Sequence, residues 1–179
     1  MDVSFRKRRT LFCLAGIILT MMNATAAARG PSNADTDEYV VRAALVVNLA
    51  RFALWNDPVL DRFAICVTGE PALAAALNVL TQGKKIDGAP VQIVPQSAPG
   101  EEAQCRVLYV GRDERHMADI LLRAGRSVLT ISDRSEFVHA GGHVRLFLRD
   151  DRLRFEINQR AAERAGIKIP AQVLALSSR

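Results

Sequence analysis

The stretch Phe63-Ala64-Ile65-Cys66-Val67-Thr68-Gly69-Glu70-Pro71-Ala72-Leu73-Ala74-Ala75-Ala76-Leu77-Asn78-Val79-Leu80 changes character in its middle. Its first five residues are continuously apolar and rich in β-formers, as expected of a strand covered on both faces. Thr68-Gly69-Glu70-Pro71 then breaks the chain, and a proline suits the first position of a helix. The Ala/Leu-rich run Ala72–Leu80 reads as that helix, closed near Gln82-Gly83. Strand, turn and helix in this order form half of a βαβ unit. The pattern recurs downstream, where Val107–Val110 precedes a helix predicted across Asp113–Ala124, and Ser127–Ile131 is a strand ending at Ser132-Asp133. Lys84–Ile86 and Val91–Val94 read as short strands around the Asp87-Gly88 turn. Past Gly142 the period becomes two: His143–Leu148 and Leu153–Ile157 flank Arg149-Asp150-Asp151-Arg152 as in an antiparallel hairpin. A short helix, Gln159–Ala165, stops at Gly166, and Pro170–Leu176 is amphipathic. Together these elements predict an α/β fold, a three-layer α/β/α sandwich whose mostly parallel sheet carries a C-terminal antiparallel hairpin.

Upstream, Asp35-x-x-Glu38 has the form of a capping box opening a helix from about Thr36 to Trp55, stopped by Asn56-Asp57-Pro58. Between Tyr39 and Trp55 only Arg42, Asn48 and Arg51 are polar. A helix this apolar is expected to be buried on more than one side, packing on the sheet and also meeting a partner.

The first residues have another logic. Arg6-Lys7-Arg8-Arg9 is followed by an apolar run from Leu11 to Met22 and by Ala24-Thr25-Ala26-Ala27-Ala28. A basic start, a short apolar segment and an Ala-x-Ala end are the parts of a secretory signal peptide. The run is short of the roughly 20 residues that span a bilayer. The expected organisation is therefore a signal peptide over residues 1–28, a flexible lead-in over 29–35 and a single α/β domain over 36–179. The whole chain has 24 basic and 19 acidic residues, a net charge of +5. Residues 1–28 hold four of the basic and one of the acidic residues, leaving 20 and 18 and a net charge of +2. The apparent basicity thus belongs to the export signal, and nucleic acid is not an expected partner.

Apart from Cys13, inside the apolar run, the cysteines are Cys66 and Cys105. In an oxidising compartment two cysteines are either paired or two buried thiols. A bond between them would close a loop of about 40 residues and contribute roughly 4 kcal/mol by restricting the unfolded chain.

No constellation reaches a catalytic signature. Gly83-Lys84-Lys85 resembles the end of a phosphate loop, but Asn78 stands where the first glycine belongs and Lys85 where a hydroxyl residue belongs. His139 and His143 are four apart, yet Gly141-Gly142 between them points to a turn and not to a helical metal pair, and His116 is solitary. Glu156 with Asp150 or Asp151 could be drawn as an acid/base pair, but hairpin turns are ordinarily lined with solvated charges. No cofactor or metal is implied. Ser132 and Asp133 end a parallel-type strand, where open α/β sheets place ligands, so a small-molecule pocket there is one functional reading.

From about Glu38 to Leu176 the chain resembles the YfiR family of small periplasmic proteins. The resemblance is carried by Arg42-Ala43-Ala44-Leu45-Val46-Val47-Asn48-Leu49-Ala50-Arg51-Phe52 with Trp55, by Val128-Leu129-Thr130-Ile131-Ser132-Asp133, and by Phe137 with Gly141-Gly142. It continues through Arg152-Leu153-Arg154-Phe155-Glu156-Ile157-Asn158, Ala161-Ala162 and Ala165-Gly166. The resemblance implies a non-enzymatic regulator that binds the periplasmic part of an inner-membrane diguanylate cyclase and holds it inactive. It also implies an OmpA-like outer-membrane lipoprotein that sequesters the repressor. Cys66 and Cys105 fit the family position of a structural disulfide; the second cysteine pair of the best-known members has no counterpart here. A repressor of this kind needs an exposed apolar patch. Arg51 and Trp55 at the end of the first helix, with Val173, Leu174 and Leu176 in the tail, are the candidates for a partner or homodimer surface.

Overall fold

The computed structural model describes residues 33–178 apart from 58–60 and 96–103. The expected signal peptide and the first part of the lead-in lie outside the described residues. The elements are α1 (Asn33–Phe52), β1 (Leu54–Trp55), β2 (Phe63–Thr68), α2 (Pro71–Thr81), β3 (Lys85–Ile86), β4 (Ala89–Pro95) and β5 (Val107–Val110). They continue with α3 (Met117–Arg123), β6 (Leu129–Ser132), β7 (Val144–Arg149), β8 (Arg152–Ile157), α4 (Gln159–Arg164), β9 (Ile167–Lys168) and α5 (Ala171–Leu176). No helix among the described residues is long and apolar enough to cross a membrane.

The protein is α/β. Among the described residues, seven strands form one sheet in the order β3-β4-β2-β5-β6-β7-β8. β2 pairs in parallel with β4 and β5, β5 with β6, and β6 with β7. β3 joins β4 antiparallel, and β8 joins β7 antiparallel with Val144 opposite Ile157 and Arg149 opposite Arg152. The two residues between them, Asp150 and Asp151, both have positive φ, 54° and 55°. That is the backbone of the two-residue turn whose twist matches a hairpin, adopted here by short polar side chains that tolerate it.

Every residue of β2, β5 and β6 is buried. Successive side chains point to opposite faces. Phe63, Ile65, Val67, Val107, Tyr109, Leu129 and Ile131 join one core with α1, α2, α4 and α5. Cys66, Leu108 and Val110 join a second cluster with Cys105, Met117, Ile120 and Phe137, around α3. Cys66 and Cys105 are disulfide-bonded, their Cα atoms 5.8 Å apart, inside that second cluster. Phe137 is packed so closely against Gly142 that a Cβ there would lie 2.3 Å from its ring.

Several sequence-based boundaries move. α1 begins at Asn33, so Asp35 lies within the helix instead of capping it, and Asn33 to Asp35 are helical instead of lead-in. The helix ends at Phe52, not Trp55: Leu54 and Trp55 leave it to pair antiparallel with Lys168 and Ile167, a strand with no signal in the sequence. α1 also buries Ala43, Val46, Val47, Leu49 and Ala50, continued by Ala53 just past its end, while Val40, Val41 and Phe52 stay exposed. α3 starts at Met117, not Asp113, because the Glu114 carboxylate accepts the backbone N–H of His116 and holds that segment in a turn. His139 is exposed in a turn, whereas His143 is buried.

His143 ties the hairpin to β6. Its Nδ1 accepts the Thr130 N–H at 3.1 Å, and its own N–H donates to Thr130 Oγ1 at 3.1 Å. Burial, reinforced by the nearby Arg164 charge, pushes its pKa down from 6.5 to about 4. The unfolded chain therefore takes up a proton that the folded chain refuses. Stability is full above pH 6.5 and should fall by about 3 kcal/mol as pH drops to 4, at about 1.4 kcal/mol for each tenfold change in proton affinity. Urea unfolding at stepped pH should show this slope, and His143→Gln should flatten it. Replacing Cys66 and Cys105 together by alanine, or reducing the bond, should lower stability by roughly 2–4 kcal/mol, read from the same urea midpoints.

Candidate functional site

In an open α/β sheet the place for a ligand is the crevice beyond the C-terminal strand ends, where the strand order reverses. Here that point lies between β2 and β5. The two following loops close it: a Cβ at Gly111 would sit 2.4 Å from the Gly69 carbonyl oxygen, so only glycine permits this approach. Glu114, just beyond, accepts the Thr68 hydroxyl at 2.6 Å and the His116 N–H at 2.8 Å. The Thr68 hydroxyl and the His116 N–H hold its carboxyl below the usual range.

Next to this closure Asp133, one residue past β6, has its side chain 3% exposed. Its Oδ2 accepts Nη1 of Arg42 at 2.9 Å and Nε of Arg112 at 2.7 Å. Arg42 is itself buried on α1, where it also pairs with Glu38 and donates to the Tyr109 hydroxyl at 3.4 Å. Burial raises the pKa of Tyr109, so that it stays a neutral phenol beside the guanidinium. Oδ1 of Asp133 and Nε of Arg42 have no hydrogen-bond partner among the described residues. Ser132 is fully buried; its hydroxyl donates to the Val110 carbonyl at 2.6 Å and accepts the Arg134 N–H at 3.2 Å. At the α2 end, Tyr39 donates to Glu70 at 2.9 Å. Ser132 and Asp133 are thus drawn into a network that the chain makes with itself, and Arg42, Tyr109 and Arg112 are the members that sequence reasoning left out. Arg42 could have been found as a cation at a buried position in the α1 stripe; Arg112 has no such signal.

The residues proposed for a partner surface lie elsewhere. Arg51 is exposed in the last turn of α1. Trp55 is half-buried, meets Phe63 edge-to-face at 5.4 Å and lies 5.8 Å from the Arg106 guanidinium. Leu176 is 73% exposed, as the surface reading requires of it. Val173 is not a surface residue: at 6% exposure it anchors α5 to the core, and Leu174 is half-buried against the same core. The alternation of a short helix buries one residue while its neighbours face outward. What sequence spacing could not show is that β1 pairs with β9, three residues before α5. This ribbon joins the end of α1 to the tail.

Among the described residues no group of three His, Cys, Asp or Glu side chains is placed to hold a metal. The Arg42–Asp133 pair has an expected energetic signature: removing one partner strands a buried charge, at a cost of roughly 3–5 kcal/mol, whereas removing both does not. Asp133→Ala should destabilise by that amount, and adding Arg42→Met should recover part of the loss, as a double-mutant cycle in urea will measure.

No curated protein matches the chain. The family described as DUF4154, YfiR/HmsC-like, matches residues 39–178, nearly all of the folded unit from α1 to α5. YfiR-like proteins are periplasmic, non-catalytic regulators tied to cyclic-di-GMP signalling. With the match spanning more than three quarters of its length, this chain belongs to the YfiR/HmsC-like family.

Proposed function

We propose that this protein is exported to the periplasm by residues 1–28, and that it binds the periplasmic sensor part of an inner-membrane diguanylate cyclase and holds it inactive. The β1–β9 ribbon carries this reading, because it brings two separately coded ends of the domain together. Phe52 and Leu54, at the α1 end of it, and Leu176, in the tail that follows β9, are exposed, so large apolar side chains stand in water where a binding protein needs them. Arg51 and the indole of Trp55 supply the polar rim and the aromatic anchor typical of such surfaces. The domain acts as an α/β/α sandwich that presents this surface without moving reactive groups.

A second copy of the chain can use the same surface to make a homodimer, and an OmpA-like outer-membrane lipoprotein that covers it would release the cyclase. The small-ligand reading at Ser132 and Asp133 finds less support, since those side chains are committed to internal partners.

Leu176 is the informative position because its exposure uncouples binding from folding. Titrating the purified cyclase sensor domain against Leu176→Asp should give at least tenfold weaker binding at an unchanged melting temperature. Undiminished affinity for Leu176→Asp and for Phe52→Asp alike would remove the reading.

A further inference from the structure

α1 and α2 run in the same direction, with Tyr39 and Glu70 meeting at their N-terminal ends. Toward their C-terminal ends residues of both helices line a cavity of about 360 Å³. Its walls are Val47 of α1, Leu80 of α2 and Ile86 of β3; Arg51, Lys84 and Lys85 line it as exposed cations. No carboxylate lines it, and none of the three cations has an ion pair among the described residues. The two helix C-termini here contribute about half a negative charge each. Three cations exceed that need and leave about two positive charges over an apolar floor.

We propose that this cavity is a binding site for a small amphipathic anion, a carboxylate on an apolar body. Its volume falls within the range of small-molecule pockets, and at roughly 30 Å³ per water-sized group it accommodates on the order of ten non-hydrogen atoms. An apolar body would displace water from Val47, Leu80 and Ile86, while the head reaches the ammonium groups of Lys84 and Lys85 and the fork of Arg51. A cation of the same shape would meet like charge, and a bare anion would leave the floor wet. The site lies on the α2–β3 side of α1; it shares Arg51 with the proposed partner surface, whereas Lys84 and Lys85 take no part in that surface.

Octanoate is the probe, compared with octylammonium, octanol and inorganic phosphate, each titrated into the purified protein. The readouts are the methyl resonances of Val47, Leu80 and Ile86 and the melting temperature. Octanoate should perturb those methyls and bind at least tenfold tighter than each of the other three compounds. Lys84→Gln with Lys85→Gln should weaken octanoate at least tenfold, leave octanol unchanged and leave cyclase capture intact. Equal binding of octanoate and octylammonium, phosphate binding as tightly as octanoate, methyl shifts confined to other regions, or full octanoate affinity in the double variant would each overturn the proposal. Because both lysines are exposed, the variant's unchanged melting temperature in the absence of ligand certifies its fold.

Discussion

Three strands, β2, β5 and β6, are buried at every residue, and this double burial constrains everything around them. A sheet covered on both faces needs apolar elements on each: one cluster of buried residues draws on α1 and α2, the other on α3. It also needs its backbone groups satisfied internally, which the four parallel pairings accomplish. The disulfide belongs to the same constraint. It joins the middle of β2 to the residue that leads toward β5, inside the cluster built around α3. There the second cluster is the smaller one, and covalent closure of a long loop offsets its modest apolar area.

Buried strands have polar ends, and those ends explain the Arg42–Asp133 pair. Asp133 leaves β6 at a buried position, and Arg42 reaches it from a helix 91 residues away in sequence. Such a pair adds little net stability, because the Coulombic gain is spent on desolvation. Its consequence is discrimination. Any other seating of α1 on the sheet would separate the two charges and leave Asp133 to Arg112 and Arg42 to Glu38, which is costlier than a shifted apolar contact. With Tyr39 on Glu70 and Arg42 on Tyr109, the N-terminal half of α1 is held in one position by polar contacts. The C-terminal half rests on apolar packing, and it is there that the cavity and the exposed Phe52 are found.

The functional character of the molecule follows from which openings are filled. The crevice that α/β enzymes use for substrates is here closed by glycine contact and lined by groups already paired with one another. The features directed outward are instead apolar side chains near the β1–β9 ribbon and exposed cations at the rim of the α1–α2 cavity. Both suit recognition and not bond-making, in keeping with a family of regulators.

Much of this was legible in the chain itself. The continuous apolar runs at Phe63, Val107 and Leu129, each followed by a breaker, determined buried parallel strands, since period and punctuation are local properties. The alternation around Asp150-Asp151 determined the β7–β8 pairing for the same reason, and the near neutrality of the chain beyond its basic first 28 residues argued against a nucleic-acid partner. Tertiary structure alone decided the rest. Leu54-Trp55 looked like a helix end, because two residues carry too little pattern to declare a strand; only Ile167 and Lys168, brought beside them by the fold, make it one. Val173 and Leu176 looked alike in sequence, yet one is core and the other surface, because the rotation of α5 is set by what it packs on. Asp133 looked like a ligand contact until Arg42 and Arg112 arrived from distant segments to claim it. Pairings between residues far apart in the chain have no local signature, since their energy exists only once the intervening chain has folded.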